Sequence, residues 1–175
     1  MIFIFHIVIG LGLILIETTL VPQWPQFQRF YDFLALYVLY LGLFRKLREG
    51  LPVTLIAGFL MDALSGGTFG IYLTAYFWLY LVVKWSTNFL HAGNAILLPL
   101  WSGAGILFEN VMFFGMLAVS GDIGRFTGEF LHIVIIQVLG AFFTGPFLLA
   151  GFDHLLRKKD RWQARLARDS AGSIG

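Results

Sequence analysis

The sequence predicts an all-α protein: a polytopic integral membrane protein with about six transmembrane helices in one compact bundle. Two observations lead to this prediction. The 175-residue chain is 58% hydrophobic and only 13% charged, whereas a soluble domain needs more polar residues to cover its surface. The chain also contains several apolar stretches near the roughly 20 residues that a helix needs to cross a bilayer. These stretches lack the period-two alternation of a barrel strand, so we expect helices.

Prolines, glycines and charges divide the chain into six apolar segments. The first ends before Pro22, and the third opens with Pro52 near its first turn, where proline is tolerated. The second and third are short for a full crossing, so we expect them to be tilted, extended into the interface or partly re-entrant. The segments are 2–21, 30–44, 51–64, 69–89, 95–120 and 130–152. We therefore expect a transmembrane helical domain over residues 1–152 and a basic tail over residues 153–175.

Basic residues are distributed unequally between the two sides of this six-span arrangement. Ten lie on the side that holds both termini, and only Arg29 and Arg125 lie on the other. Cytoplasmic loops carry the excess of lysine and arginine, so both termini and the tail are expected in the cytoplasm. The tail continues the last helix and suits the anionic cytoplasmic leaflet. The ten residues are Arg45, Lys46, Arg48, Lys84, Arg157, Lys158, Lys159, Arg161, Arg165 and Arg168.

One acidic residue, Asp62, ends an apolar run in the third segment. Thr54, Gly58, Asp62 and Gly66 stand four residues apart and therefore form one stripe along the predicted helix. Small residues let another helix approach closely, so Asp62 is expected to face protein or a wet cavity, where an acid is paired or functional. The alternative is that Asp62 lies at the outer boundary and hydrogen-bonds the turn. Gly66 and Gly67 are expected to end the helix and permit that turn.

Other polar residues lie within the outer half of the predicted bundle. They are Glu17 in the first segment and the adjacent Glu109 and Asn110 in the fifth. Together with Asp62 they predict either an outward-facing polar pocket for a cation, a proton or a small ligand, or interhelical hydrogen bonding between protonated acids. The second interpretation is favoured, because small helical bundles use buried polar residues to hold helices together.

The sequence does not favour an enzyme. It contains no cysteine, and its four histidines share no ligand spacing with a carboxylate. Ser65 and Ser102 lie in stretches that resemble the Gly-x-Ser-Gly of rhomboid proteases, but both stretches lack the glycine two residues before the serine. Hydroxyl groups in membrane helices mostly hydrogen-bond neighbouring backbone. We therefore expect no catalytic residue, no cofactor and no metal site.

Residues 58–77, GFLMDALSGGTFGIYLTAYF, resemble the core signature of the rod shape-determining protein MreD family. That signature is a glycine-rich helix ending in an aspartate element, a glycine turn, and Gly-(Leu/Ile)-Tyr at the start of the next helix. Upstream, Asp32 starts the second helix, although the family usually has Pro-Asp where this chain has Tyr31-Asp32. The resemblance covers the first half of the chain well and the second half only in hydropathy and in the basic tail. The matching positions are Gly58, Asp62, Gly66, Gly67, Gly70 and Tyr72.

This resemblance implies a non-enzymatic inner-membrane component of the bacterial cell-elongation (rod) complex, which helps to position cell-wall synthesis and to maintain rod shape. Its implied partner is an MreC-like bitopic scaffold, and through it a penicillin-binding transpeptidase, a SEDS-type glycosyltransferase and the MreB filament. The MreD fold is also similar to the small-ligand-binding subunits of energy-coupling-factor transporters, which is the alternative. Their alanine-rich first helix is not matched here, where the first segment is bulky apart from Gly10 and Gly12. Nucleic acid is not expected as a partner.

Overall fold

A computed structural model describes residues 2–20, 32–66, 69–87, 97–119 and 128–172. Within these ranges the chain forms six α-helices and one π-helical turn, and contains no β-strand. The all-α prediction and the order of the six segments are therefore confirmed. The elements are α1 (Ile2–Leu15), the π-helical turn (Ile16–Leu20), α2 (Phe33–Phe44), α3 (Leu47–Ser65), α4 (Ile71–Ser86), α5 (Leu98–Val119) and α6 (Gly128–Gly172).

The start of α3 differs from the sequence prediction. The helix begins at Leu47 after the N-cap Lys46, so Pro52 lies inside it and the prediction that Pro52 falls near its first turn is wrong. Glu49 in the first turn favours an early start, because a negative charge there complements the partial positive charge of a helix N-terminus. The helix accommodates Pro52 at the loss of a single backbone hydrogen bond near its beginning.

The centre of the bundle is α2. Its residues from Leu34 to Leu43 are all buried, and it packs against each of the other five α-helices. This position follows from the sequence FLALYVLYLGLF, which is apolar on every side of the helix. With 12 residues, α2 is about 18 Å long.

The helices α3 and α4 approach one another closely at Gly58. A Cβ atom added to Gly58 would lie 2.8 Å from the Cα atom of Leu73, and 3.2 Å from its backbone nitrogen. Backbone atoms cannot move aside as the end of a side chain can, so this position requires glycine. The predicted close approach is confirmed at Gly58, and Thr54 and Asp62 on the same stripe are also buried. Gly66, by contrast, is exposed at the end of α3 with open space beside it.

The outer surface of the bundle is apolar, while several polar side chains lie inside. Phe147 is 80% exposed, Phe143 68% and Val8 57%. A soluble monomer rarely exposes so large an apolar surface. The buried polar residues are His6, Thr54, Asp62, Ser102 and Glu109.

One described helical segment, Leu131–His154 in α6, is long and apolar enough to cross a bilayer. Two shorter apolar segments are His6–Thr19 and Phe33–Phe44. One qualifying helix is weak evidence by itself, because the core helix of a soluble protein passes the same test. In α6, however, only 17% of the apolar window is buried, which is unlike a soluble core helix.

The contact at Gly58 predicts that Gly58→Ala destabilises the protein. The added methyl group must push α3 away from α4, at a cost of about 1–3 kcal/mol of unfolding free energy. Gly151→Ala is the matched control, because Gly151 lies in α6 with nothing within 4 Å of the added Cβ. Thermal unfolding of both purified variants in detergent measures the difference. Equal melting temperatures for the two variants would show that the helices do not meet at Gly58.

Candidate functional site

Asp62 closes the N-terminus of the neighbouring helix α4. Its Oδ1 accepts a hydrogen bond from the backbone N–H of Tyr72 at 2.9 Å, and its Oδ2 accepts one from Leu73 at 3.0 Å. The N-cap of α4 is Gly70, which has no side chain that could cap the helix itself. Asp62 therefore satisfies two N–H groups that the first helical turn leaves unpaired, and its charge complements the helix dipole. It does so while buried, only 3% exposed.

Two glycines shape the connection between α3 and α4. Gly66 has φ 66° at the C-cap of α3, and Gly70 has φ 98° at the N-cap of α4. Residues with side chains rarely adopt such left-handed conformations, so each position favours glycine through its backbone. Gly67 lies outside the described residues. The described positions that carry the resemblance thus build one helix–helix joint: Gly58, Asp62, Gly66, Gly70 and Tyr72.

A second group of acids lies at the N-terminus of α2. Asp32 is the N-cap, and its Oδ1 accepts a hydrogen bond from the N–H of Ala35 at 3.0 Å. Glu17, from the π-helical turn, reaches the same helix end, where its Oε1 accepts from the N–H of Phe33 at 3.1 Å. The prediction that Asp32 starts the second helix is confirmed. The two carboxyl groups share the capping of one helix end.

Asp32 is also the centre of a polar cluster that joins four elements. The Tyr76 hydroxyl of α4 donates to Asp32 Oδ2, and the carboxyl groups of Glu17 and Glu109 both lie beside that of Asp32. A hydrogen bond between two carboxyl groups requires a proton on one of them. The remaining oxygen of Glu17, Oε2, is buried and accepts no hydrogen bond.

The composition of this cluster differs from the predicted pocket. The predicted set joined Asp62 to Glu17 and Glu109, but the acid that meets them is Asp32, while Asp62 is bonded to the start of α4. Asn110 donates to the Ile106 carbonyl of its own helix at 2.9 Å. The contacts of Asp32 and Asp62 favour interhelical hydrogen bonding over a shared pocket.

Tyr72 lies beside the same cluster. Its ring centroid is 5.8 Å from that of Tyr76 and 5.0 Å from that of Phe113. Tyr72 therefore connects the two acidic sites: its backbone N–H binds Asp62, and its ring packs on the tyrosine that binds Asp32.

Lys84 caps the C-terminal end of α2, as Glu17 and Asp32 cap its start. This role was not predicted from the sequence. Its Nζ donates to the carbonyl oxygens of Gly42 at 3.3 Å and Arg45 at 2.5 Å, where α2 ends. A cation at the C-terminus complements the negative end of the helix dipole. The only signal in the sequence is a single lysine inside the apolar run YLVVKW, which by itself indicates membrane topology.

An open groove of about 600 Å³ lies between α4 and α5. The Thr74 hydroxyl in this groove is already bonded to the Gly70 carbonyl at 2.7 Å. Across the described ranges, no group of three histidine, aspartate or glutamate residues could hold a metal ion. The groove is lined by Phe69, Gly70, Ile71, Thr74, Val111, Met112, Gly115, Met116 and Val119.

The double hydrogen bond at Asp62 predicts that Asp62→Asn is destabilising even if the charge has no further function. Asparagine keeps one acceptor oxygen, but its NH₂ group then faces a backbone N–H donor. We expect a loss of about 1–3 kcal/mol in unfolding free energy. Asn110→Ala is the control, because the Asn110 amide bonds only within its own helix. Denaturation of both variants in detergent measures the effect, and a wild-type midpoint for Asp62→Asn would contradict this capping role.

The cluster around Asp32 predicts different effects for two similar substitutions. Glu109→Gln should change stability by less than about 0.5 kcal/mol, because glutamine preserves a neutral donor beside Asp32. Asp32→Asn should cost about 1–3 kcal/mol, because it replaces an oxygen that accepts from Tyr76 with a donor. Chemical denaturation of the two variants gives the comparison. The reverse order of stability would contradict the role of Asp32 as the acceptor for Tyr76.

Comparison of the chain with protein-family models, with curated proteins and with solved structures finds no match.

Proposed function

We propose that the protein is a polytopic membrane protein whose helices cross the bacterial inner membrane with both termini in the cytoplasm. Its apolar outer surface and buried polar residues support this proposal, because lipid covers apolar side chains and forces polar groups inward. The basic residues support the orientation, since ten of the twelve lie on the side of the termini.

Within that membrane, we propose a non-enzymatic role in the cell-elongation (rod) complex, through binding of an MreC-like bitopic scaffold. The observation that carries the proposal is the joint between α3 and α4. The residues that resemble the MreD signature are the ones that meet there, with Gly58 packed on the backbone of α4 and Asp62 bonded to its first turn. The signature thus has a physical basis in this chain as a structural joint. Through the scaffold, the protein acts with the transpeptidase, the glycosyltransferase and the MreB filament.

A non-enzymatic role is supported by the bonding of the two serines that resembled a protease motif. The Ser102 hydroxyl donates to the carbonyl oxygens of Leu98 and Pro99, each at 3.0 Å. The Ser65 hydroxyl donates to the Asp62 carbonyl at 3.3 Å. Both hydroxyls bind the backbone of their own helix instead of a general base, so neither is arranged as a nucleophile.

The alternative, a ligand-binding subunit of an energy-coupling-factor transporter, draws on the groove between α4 and α5. Its volume is within the range of small-molecule sites. A small-ligand site also needs polar groups that orient the ligand, and the Thr74 hydroxyl in this groove is bonded to its own helix. The scaffold-binding role is therefore the better supported of the two.

The proposed function predicts that the chain restores rod shape to cells depleted of their MreD protein, when it is expressed together with the bitopic scaffold of its own genome. The scaffold should also co-purify with the chain after detergent extraction. Gly58→Leu should abolish both results by separating α3 from α4. Phe147→Leu should preserve both, because it changes only an exposed apolar side chain.

The proposed function would be contradicted if the unmodified chain inserts into the membrane but neither restores rod shape nor retains the scaffold. Reporter fusions give an independent test of the topology. A reporter after Gly175 should be cytoplasmic, and one inserted at Gly67 should be external. A periplasmic C-terminus would contradict the six-span arrangement but would not test whether the chain binds the scaffold.

A further inference from the structure

Four basic residues lie where α2 ends and α3 begins. Arg45 is the C-cap of α2, and Lys46, which follows it directly, is the N-cap of α3. Arg48 lies in the first turn of α3. Lys84 of α4 reaches the same place, because its Nζ donates to the carbonyl oxygens of Gly42 and Arg45. We call Arg45, Lys46, Arg48 and Lys84 the basic corner.

The packing of α3 on α4 keeps the charges of the basic corner together. A Cβ atom added to Gly50, in the first turn of α3, would lie 2.6 Å from the hydroxyl oxygen of Tyr80. Tyr80 precedes Lys84 by one turn on α4, so the start of α3 lies beside the end of α4. The stretches 41–50 and 80–87 contain four basic residues and one acidic residue, Glu49. The corner therefore carries a net charge of three positive units.

The start of α3 differs in charge from the starts of α2 and α4. Those two helix ends are capped by the carboxyl groups of Asp32 and Asp62. At α3 the N-cap is Lys46, whose side chain makes no capping hydrogen bond and offers no acceptor. The first N–H groups of a helix and its dipole both attract anions. At this end of α3 they act in the same direction as the charges of Lys46 and Arg48.

The basic corner is open to a ligand from outside the bundle. The side chains of Lys46 and Arg48 are exposed, and those of Arg45 and Lys84 are half-buried. The two hydrogen bonds of Lys84 hold its charge at the end of α2. An anion at the corner would therefore meet two exposed cations and one whose position is fixed.

The exposed face of α3 that follows Arg48 is apolar. Leu55 and Phe59 lie seven and eleven residues after Arg48, which places all three on one face of the helix. Both apolar side chains are exposed. The distance from Arg48 to Phe59 along the axis is about 17 Å, close to the roughly 15 Å of hydrocarbon in one leaflet. A cation at one end of such a face matches a ligand with an anionic head and a hydrocarbon chain.

We propose that the basic corner binds the phosphate group of an anionic phospholipid from the cytoplasmic leaflet, and that an acyl chain of the same lipid lies along Leu55 and Phe59. Guanidinium and ammonium groups both donate to phosphate oxygens, and basic pockets between helices on the cytoplasmic side suit anionic head groups. A soluble phosphate compound has the same head-group chemistry, but it offers no chain to the apolar face. The inference rests on the proposed membrane insertion and orientation, but not on the rod complex.

The first experiment compares phosphatidylglycerol with phosphatidylcholine, each titrated into the full-length protein in detergent and counted by native mass spectrometry. We expect phosphatidylglycerol to bind at one site about tenfold more tightly. Replacing Lys46 and Arg48 together by glutamine should weaken its binding about tenfold, because two exposed ion pairs are lost. Binding of phosphatidylcholine should not change.

The matched control replaces Arg165 and Arg168 by glutamine, which removes the same charge from the basic tail. This change should weaken the binding of phosphatidylglycerol less than about twofold. Equal losses in the two double variants, or no loss in either, would overturn the proposal. Thermal unfolding without lipid should be the same for both, since Lys46 and Arg48 are exposed.

The second experiment separates a lipid from a soluble phosphate compound. An excess of inorganic phosphate should displace no more phosphatidylglycerol than chloride at the same ionic strength does. Phe59→Ala should weaken phosphatidylglycerol binding about threefold by removing contact with the acyl chain. Phe147→Ala, which removes an exposed phenylalanine from α6, should leave it unchanged. Displacement by phosphate, or equal effects of the two alanine variants, would overturn the assignment to a lipid.

These results separate the inference from the proposed function. A chain that binds phosphatidylglycerol selectively at the basic corner yet does not restore rod shape contradicts only the rod-complex role. A chain that restores rod shape and retains the scaffold, but does not distinguish the two lipids, contradicts only the inference.

Discussion

The ends of α2 impose the constraint on which the rest of the bundle depends. This helix is buried from Leu34 to Leu43, and the N–H groups at its start and the carbonyl groups at its end have no partner within the helix. Each such group costs about 1–3 kcal/mol if it is left without a partner. Side chains from outside the helix prevent that cost: Glu17 and Asp32 accept from its first N–H groups, and Lys84 donates to its last carbonyls. These bonds fix the end of α1 and the whole of α4 relative to the centre.

The same rule explains why so apolar a chain keeps its internal charges. Asp62 accepts hydrogen bonds from the first N–H groups of α4, as Asp32 and Glu17 do for α2. Lys84 donates to carbonyl groups at the C-terminal end of α2, where the helix dipole has the opposite sign. In each case the sign of the side chain opposes that of the helix terminus it meets. The acids therefore act first as structural partners of helix ends. Any partner protein of the proposed complex therefore binds a bundle whose geometry depends on these acids.

Much of this architecture was predictable from the sequence because it depends on local patterns. Apolar run lengths predicted six helices, and the spacing of Gly58 and Asp62 predicted a buried stripe. What could not be predicted depends on contacts between residues far apart in the chain. Nothing near Asp62 in the sequence reveals that both of its oxygens bind α4, or that Asp32 and not Asp62 meets Glu17 and Glu109. The role of Lys84 was missed for the same reason, since it lies 42 residues from the glycine whose carbonyl it binds.

The shortness of α2 has a consequence for how such a chain is made. Twelve residues are too few to be recognised as a membrane-crossing segment during synthesis, when about 20 are needed. Only Arg45 and Lys46 separate α2 from α3, so the two can enter a bilayer together as a helical hairpin. Yet the lysine that closes the end of α2 belongs to α4, which is synthesised later. For a chain inserted as proposed above, the carbonyl groups at the C-terminal end of α2 receive their hydrogen bonds from Lys84 only after α4 has been synthesised. Until then, these carbonyl groups need another hydrogen-bond partner.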